Sequence, residues 1–447
     1  MYAAAPNPET RAPRMPTHHH IVVKLRERLP ADLSIPDWHH FIDDKSTVHE
    51  QVEPSIDRIM REHRLEFWLT REYAPAGSAW DDDETRHGLD RTYRLILQSE
   101  APLPPGLVEE LHALPSVESA HGIDVVTAPL PAVSTQASAF GPSPAELIHL
   151  SYAKELTRGD PAVRIAVLDT GADLEHPELH GKFVEHANFV DLHGLDTRDF
   201  IGHFSGADDN VDDEVGHGTH VSGILGARGL RMDEGVAPEC SLVAVRVLAT
   251  MVRDGRRYGA GIVDNINRGI KHAVDTSRAD VINMSLGIKH EGGALPHADV
   301  IRYALSRNVT VVAASGNDGT PERYYPGALP GVCAVGAVTA EGTVTSFTSY
   351  GARITCVAPG TNVYSSFAGH GYAVASGTSQ ASPFVAGSVA LMKSFARGQG
   401  AQLDNEVIAD LLKRTSDKAD TELRTERAGY GLINLADGFK FLAHSLS

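Results

Sequence analysis

Basic residues are in short supply in this sequence: 40 Lys and Arg stand against 58 Asp and Glu in 447 residues, a formal net charge of −18. Neutralising a phosphate backbone takes a basic surface, so this balance argues against a nucleic-acid partner. Cysteine is scarcer still. The three present, Cys240, Cys333 and Cys356, cannot all pair, and each lies in an apolar run. They read as buried reduced thiols rather than a disulfide framework or a metal site, and none has a neighbouring motif that would activate it. No apolar run approaches membrane-spanning length. The opening MYAAAPNPETRAPRMPTHHH holds no apolar stretch of signal-peptide length. The expectation is a cytoplasmic protein with no membrane partner, and His18 to His20 read as an exposed polar end rather than metal ligands.

What is there is an ordinary globular composition, 42% hydrophobic and 22% charged, on a chain long enough for two or three domains. Residues 1–17, rich in Pro and Ala, read as a disordered arm. From 18 to 129 the chain has its own rhythm. HIVVKLRERL is strand-like, VHEQVEPSIDRIMREHRL has helical spacing, and LEFWLTREY and RTYRLILQS read as strands around the acidic loop AWDDDETRHG. PPGLVEELHAL continues as a short helix and VESAHGIDVVTAPL as a last strand. The order β-α-β-β-α-β predicts a small α+β ferredoxin-like domain. Residues 130–144 read as a Pro, Ala and Ser linker.

From 145 to 447 apolar runs such as RIAVLDT, SLVAVRVL, DVINMSLG, VTVVAASGN, GVCAVGAV and RITCVAPG alternate with helical segments. Continuous apolar strands separated by helices predict an α/β domain, a parallel sheet covered on both faces. The working residues of such a sheet collect at the carboxyl ends of its strands.

Three segments fall at such ends. VLDTG closes a strand with Asp169, GHGTHVSG opens a helix with His217, and SGTSQASP sets Ser379 among small residues at another helix start. A serine hydroxyl is a poor nucleophile at neutral pH. It needs a base within reach, and the base needs a third group to fix its tautomer. Gly218 and Gly377 allow close approach of backbone. A serine at a helix start can offer its own N–H to a developing oxyanion, and Pro383 is expected near the first turn, where a missing N–H costs least. Singly, Asp169 could cap a turn, His217 could be a satisfied histidine and Ser379 an N-cap. Together they fit nucleophilic catalysis, with His220 assigned to structure.

The order Asp, His, Ser within these flanking sequences resembles the subtilases, serine endopeptidases that form an acyl-enzyme intermediate. The similarity runs from about residue 140 onward and extends to GVAPECSLVAVRVL, VAPGTNVYS and YGLINLADG. It implies the roles of nucleophile for Ser379, general base for His217 and orienting carboxylate for Asp169. Asn317 in AASGNDG would donate its amide to the tetrahedral intermediate. Ser285, Leu286 and Gly287 match the edge segment that pairs with an extended peptide, and Ala314, Ser315 and Gly316 the opposite wall of the pocket. Tyr325–Pro326 falls where the family often has a cis-proline turn. No cofactor is required for catalysis on this resemblance. The usual calcium loop is missing from ARGLRMDEGVAP, where the matching acidic position is Glu178. A different acidic run, with Asp208, Asp209, Asp212 and Asp213, leaves structural calcium open.

The N-terminal domain resembles the family's inhibitory propeptide, with Thr127 to Gly141 lying in the cleft and cut on maturation. A permanent regulatory domain is the alternative. A pseudoprotease would have lost one of the four site residues, and an esterase or lipase would carry G-x-S-x-G where this chain reads G-T-S-Q-A. The expected partners are a protein or peptide substrate and the chain's own N-terminal domain. Asp318, beside Asn317, hints at a basic residue in the pocket, and Val215 at an apolar neighbour.

Overall fold

The computed structural model describes residues 19–446 apart from 31–32, 39–48, 124, 129–132, 135–142, 193–196, 203–208, 254–255, 291–294, 352 and 419–422. The expected arm 1–17, most of the linker 130–144, His18 and Asp208 therefore lie outside the described residues. Contacts divide the chain into two units. The first comprises Met1–Glu72, Thr92–Ile123 and Leu192–Arg198, and the second comprises Tyr73–Arg91, Asp124–Asp191 and Asp199–Ser447.

In the first unit, strands β1 (His20–Leu25), β2 (Phe67–Arg71), β3 (Thr92–Leu97) and β4 (Val117–Gly122) form an antiparallel sheet in the order β2-β3-β1-β4. Helices α1 (Pro54–Glu62) and α2 (Leu107–His112) make the β-α-β-β-α-β order complete. Pro54 opens α1 where its missing N–H costs nothing, and the Glu53 carboxylate accepts from the N–H groups of Ser55 and Ile56. Alternation along the strands aims Ile21, Val23, Leu69, Leu95 and Leu97 at Ile56, Met60, Leu107 and Leu111, which form one core. Arg94 and Glu72 are both buried and form a bidentate pair at 2.7 and 2.9 Å, with the guanidinium 4.0 Å from the Trp38 ring.

The second unit is built on a seven-stranded parallel sheet. Its strands are β7 (Arg164–Asp169), β8 (Phe183–Asn188), β10 (Ser241–Arg246), β13 (Val281–Met284), β15 (Thr310–Ala314), β17 (Cys333–Val338) and β18 (Ile354–Pro359), in the order β18-β17-β15-β13-β7-β10-β8. Alternate residues of one strand enter different cores. Ile165 and Val167 pack with helices α3 (His217–Gly226) and α6 (Thr378–Gly398). Ala166 and Leu168 pack with α4 (Val263–Asp275) and α5 (Ala298–Ser306). The sheet is thus covered on both faces, and Cys240, Cys333 and Cys356 are buried free thiols.

Three elements depart from the sequence reading. The acidic loop between β2 and β3 contains a helix, Asp82–His87, closed by a capping box of Asp81 and Glu84. Glu84 is fully buried and accepts from Lys271 of α4 at 2.6 Å, so this segment packs within the second unit. The last predicted strand is two: after β4, β5 (Val125–Ala128) pairs antiparallel with β12 (Arg256–Ile262), matching Val126 to Gly261. Finally, β6 (Val133–Ser134), inside the expected linker, pairs with β20 (Gly371–Ala375).

Candidate active site

Asp169 ends β7 and His217 begins α3. The His217 Nδ1–H donates to Asp169 Oδ1 at 2.6 Å, with both side chains at most 5% exposed. The contact is close because the helix start rests on the strand end. A Cβ on Gly218 would sit 2.1 Å from the Gly171 carbonyl oxygen, so only glycine fits. Asp169 Oδ1 also accepts from the Thr170 N–H at 2.8 Å, whereas its Oδ2 and His217 Nε2 are buried with no hydrogen-bond partner.

A second buried carboxylate stands behind this pair. Asp213 accepts from Thr170 Oγ1 (2.8 Å), Gly216 N (2.7 Å), Thr219 N (2.8 Å) and Thr219 Oγ1 (2.7 Å), and Thr170 Oγ1 in turn accepts from Gly218 N at 3.0 Å. It therefore satisfies the Thr219 N–H at the α3 N-terminus, while Thr170 takes that of Gly218, and it ties that helix to the residue after Asp169. Burial would lower the His217 pKa, but the charge and hydrogen bond of Asp169 and the charge of Asp213 outweigh it and hold the imidazole above its ordinary value. His220, buried on the same helix and bonded through Nε2 to Val363 O and Ala373 O, is pushed down to about 4 by burial and by His217. It stays neutral and structural.

Ser379 is the second residue of α6. Its hydroxyl donates to Ser285 O at 3.0 Å. Pro383 lies inside the helix rather than in its first turn, and its missing N–H leaves the Ser379 carbonyl without a helical partner. The Ser285 hydroxyl supplies one, donating at 2.8 Å. Asn317, after β15, is half-buried. Its Oδ1 accepts from Thr378 N at 2.8 Å and Thr378 Oγ1 at 3.0 Å, which leaves the amide Nδ2 as the free end. Gly316 N donates to Thr378 Oγ1 at 3.2 Å. Ser285 to Gly287 follow β13, and Ser315 and Gly316 follow β15 just after Ala314. The two segments leave adjacent paired strands and both grip the start of α6. The Tyr325–Pro326 bond is cis.

Glu178 is fully buried. It accepts from the N–H groups of Leu230 at 2.9 Å and Arg231 at 2.7 Å and from the Tyr372 hydroxyl at 3.2 Å, so donors from the chain fill the place a cation would take. Of the acidic run, Asp213 faces inward and Asp212 is exposed. Among the described residues no group of three or more His, Cys, Asp or Glu could hold a metal. Asp318 accepts from the Tyr324 hydroxyl and pairs with Lys289 at 2.6 Å, which leaves it little charge to offer a basic side chain. A cavity of about 560 Å³ opens at the other end of the sheet, lined by Asp280, Asn308, Lys393 and Arg397, and touches none of Asp169, His217 and Ser379.

Sequence reasoning missed the anchoring by Asp213, Thr170, Thr378 and the Ser285 hydroxyl. Asp213 had a signal, four residues before the histidine, but it read as one acid among several.

A model described as the subtilase family matches residues 160–431. The major intracellular serine protease of Bacillus subtilis (strain 168) is 37% identical over 281 residues, which cover 61% of this chain and 81% of that protein. The thermophilic serine proteinase of Bacillus sp. (strain AK1) is 37% identical over 272 residues; the match spans 60% of its length and 60% of this chain. Among solved structures, that of the prenylagaramide maturation protease PagA superposes with a TM-score of 0.54 at 27% identity, covering 66% of this chain and 98% of that one. Among the described residues no helix is long and apolar enough to cross a membrane.

Proposed function

The chain belongs to the subtilase family and is a subtilisin-like serine endopeptidase, and we propose that Asp169, His217, Ser379 and Asn317 carry its reaction. The observation that carries this assignment is the buried Asp169–His217 pair with His217 Nε2 left unpartnered. Nε2 is the basic atom that Asp169 leaves free by fixing the proton on Nδ1. The Ser379 hydroxyl exchanges Ser285 O for His217 Nε2, gives up its proton there, and attacks the peptide carbonyl carbon. The carbonyl oxygen becomes an oxyanion and takes hydrogen bonds from Asn317 Nδ2 and the Ser379 N–H, which has no helical partner in the first turn. The C–N bond then breaks as His217 returns its proton to the leaving amine. Water, deprotonated by the same Nε2, hydrolyses the ester and restores Ser379. No cofactor enters any step. Ser285 to Gly287 and Ala314 to Gly316 flank the substrate residue before the scissile bond.

The N-terminal part regulates this chemistry. Its β5 adds a strand to β12 and runs close to β14 (Ile288–Lys289), so it holds an edge that an extended substrate would otherwise use. Permanent attachment of the N-terminal part is a second reading, supported by the helix Asp82–His87 and its buried Glu84–Lys271 pair. Mass spectrometry of the purified, active protein decides between them: a product starting within 127–141 means release, and an intact active chain means retention. The proposed location is the cytoplasm, supported by relatives named as intracellular serine proteases. Labelling by a fluorophosphonate that persists in Ser379→Ala removes the nucleophile assignment.

A further inference from the structure

The slot beside the nucleophile is already filled. Gly287 and Gly316 belong to the two segments that grip the start of α6, and the space between them is where a substrate side chain next to the scissile bond would enter. The ring of Tyr324 lies in that space. A Cβ built on Gly316, whose φ is +105°, would meet ring atoms Cδ2 and Cε2 at 2.3 and 2.5 Å, and one on Gly287 would meet Tyr324 Cβ and Cδ1 at 3.2 and 3.4 Å. The ring is therefore pressed between the two backbones. Tyr324 is only 7% exposed.

The ring is also fixed at both ends. Its backbone belongs to β16 (Tyr324–Tyr325), which pairs with β14 (Ile288–Lys289) directly after Gly287. Its hydroxyl donates to Asp318, whose carboxylate is paired with Lys289, and the Lys289 ammonium stands 5.7 Å from the ring centre. A side chain pinned at the hydroxyl and packed on both faces resists displacement, because a ligand must break a charge-assisted hydrogen bond to move it.

We infer that Tyr324 is the specificity-determining residue of this protease and restricts the substrate residue before the scissile bond to small side chains: glycine, alanine or serine. Asp318 serves the restriction by holding the ring, instead of selecting a basic side chain. The candidate cut region agrees: residues 127–141 read TAPLPAVSTQASAFG, and seven of the fifteen are glycine, alanine or serine. This inference rests on the protease reading above and on the two wall segments assigned there.

The test is the hydrolysis of fluorogenic peptide amides that differ only at the residue before the cleaved bond, with fluorophosphonate labelling of Ser379 measured on the same samples. For the full chain, kcat/KM after Ala exceeds that after Phe or Leu by at least about 100-fold, the scale on which a closed apolar pocket rejects excess bulk. In Tyr324→Gly the Phe:Ala ratio rises by about 100-fold, whereas Tyr324→Phe, which keeps the ring, retains the preference for Ala. A full chain that cleaves after Phe or Leu as readily as after Ala overturns the inference even if Tyr324→Gly does not fold. An unchanged Phe:Ala ratio in a folded Tyr324→Gly overturns it too. Labelling without the expected ratio defeats only the inference; absence of both labelling and cleavage, in protein that retains residues 1–141 and in protein that has lost them, defeats the protease reading and the inference with it.

Discussion

The two units bury charge in opposite ways. In the first, Arg94 and Glu72 lie side by side with 1% and 0% of their side chains exposed, and two short hydrogen bonds match fork to fork. In the second, Asp169 and His217 are as deeply buried, yet each keeps a polar atom with no partner. A buried atom that lacks a partner is costly. The Arg94–Glu72 pair avoids that cost, as charges that only hold shape should. The Asp169–His217 pair tolerates it, and one of its two atoms, His217 Nε2, is where the proposed reaction passes a proton. An unpartnered atom does not by itself mark chemistry, since His220 Nδ1 and the side-chain amide of Gln380 are buried without partners too.

The sharpest break of this contrast is removal of the reacting group. Ser379→Ala is expected to lower kcat by about six orders of magnitude, as loss of a triad member does in subtilisin, with unfolding unchanged; peptide hydrolysis and calorimetry read the two. The converse break is Glu72→Gln, which removes the charge of the bidentate partner of buried Arg94 and is expected to cost about 3–5 kcal/mol. Chemical denaturation followed through the N-terminal sheet reads it, and a loss below about 1 kcal/mol ends the claim that the pair holds shape. Next in size is Asn317→Ala, expected to lower kcat by about 10²–10³ with little change in KM; a rise in KM alone means the amide binds substrate without preference for the transition state.

The smallest effect sharpens the comparison most. The groups facing His217 are Asp169, Asp213 and the neutral His220. Only the neutral imidazole is a base, and its pKa is held above the ordinary 6.5, so kcat/KM falls as pH drops through that raised value. Asp213→Asn removes one raising charge and is expected to move the acid limb to lower pH. The same sign applies to stability. A raised pKa favours the folded state below the unfolded value and ceases to do so as pH rises through the folded one. A pH profile that does not move in Asp213→Asn confines Asp213 to holding the helix.

Much of this was legible because the chemistry sits in short contiguous strings. VLDTG, GHGTHVSG and SGTSQASP each carry one residue of the proposed triad together with the small neighbours its geometry needs, so local sequence suffices. The apolar runs of the parallel sheet were equally plain, each buried on both faces. What escaped depends on direction and on distant partners. AWDDDETRHG reads as an acidic loop, because its polarity hides a capping box and a Glu84 that finds Lys271 far along the chain. Asp213 looked like its exposed neighbours, since a string of acids does not say which one turns inward. VVTA continued the preceding strand by composition but pairs with a different sheet. Pro383 was expected to lose nothing, yet it sits deeper in α6 and frees a carbonyl that Ser285 then claims.

That vacancy in the helical ladder works as a mechanical joint. Ser285 accepts from the Ser379 hydroxyl through its carbonyl and donates to the Ser379 carbonyl through its own hydroxyl. Two links, one in each direction, tie the segment after β13 to the start of α6. In the proposed reaction the hydroxyl link opens as Ser379 turns to His217, while the Ser285 hydroxyl keeps its hold on the carbonyl. The side chain can therefore turn on a backbone that stays anchored, because proline lacks the N–H that would have claimed that carbonyl.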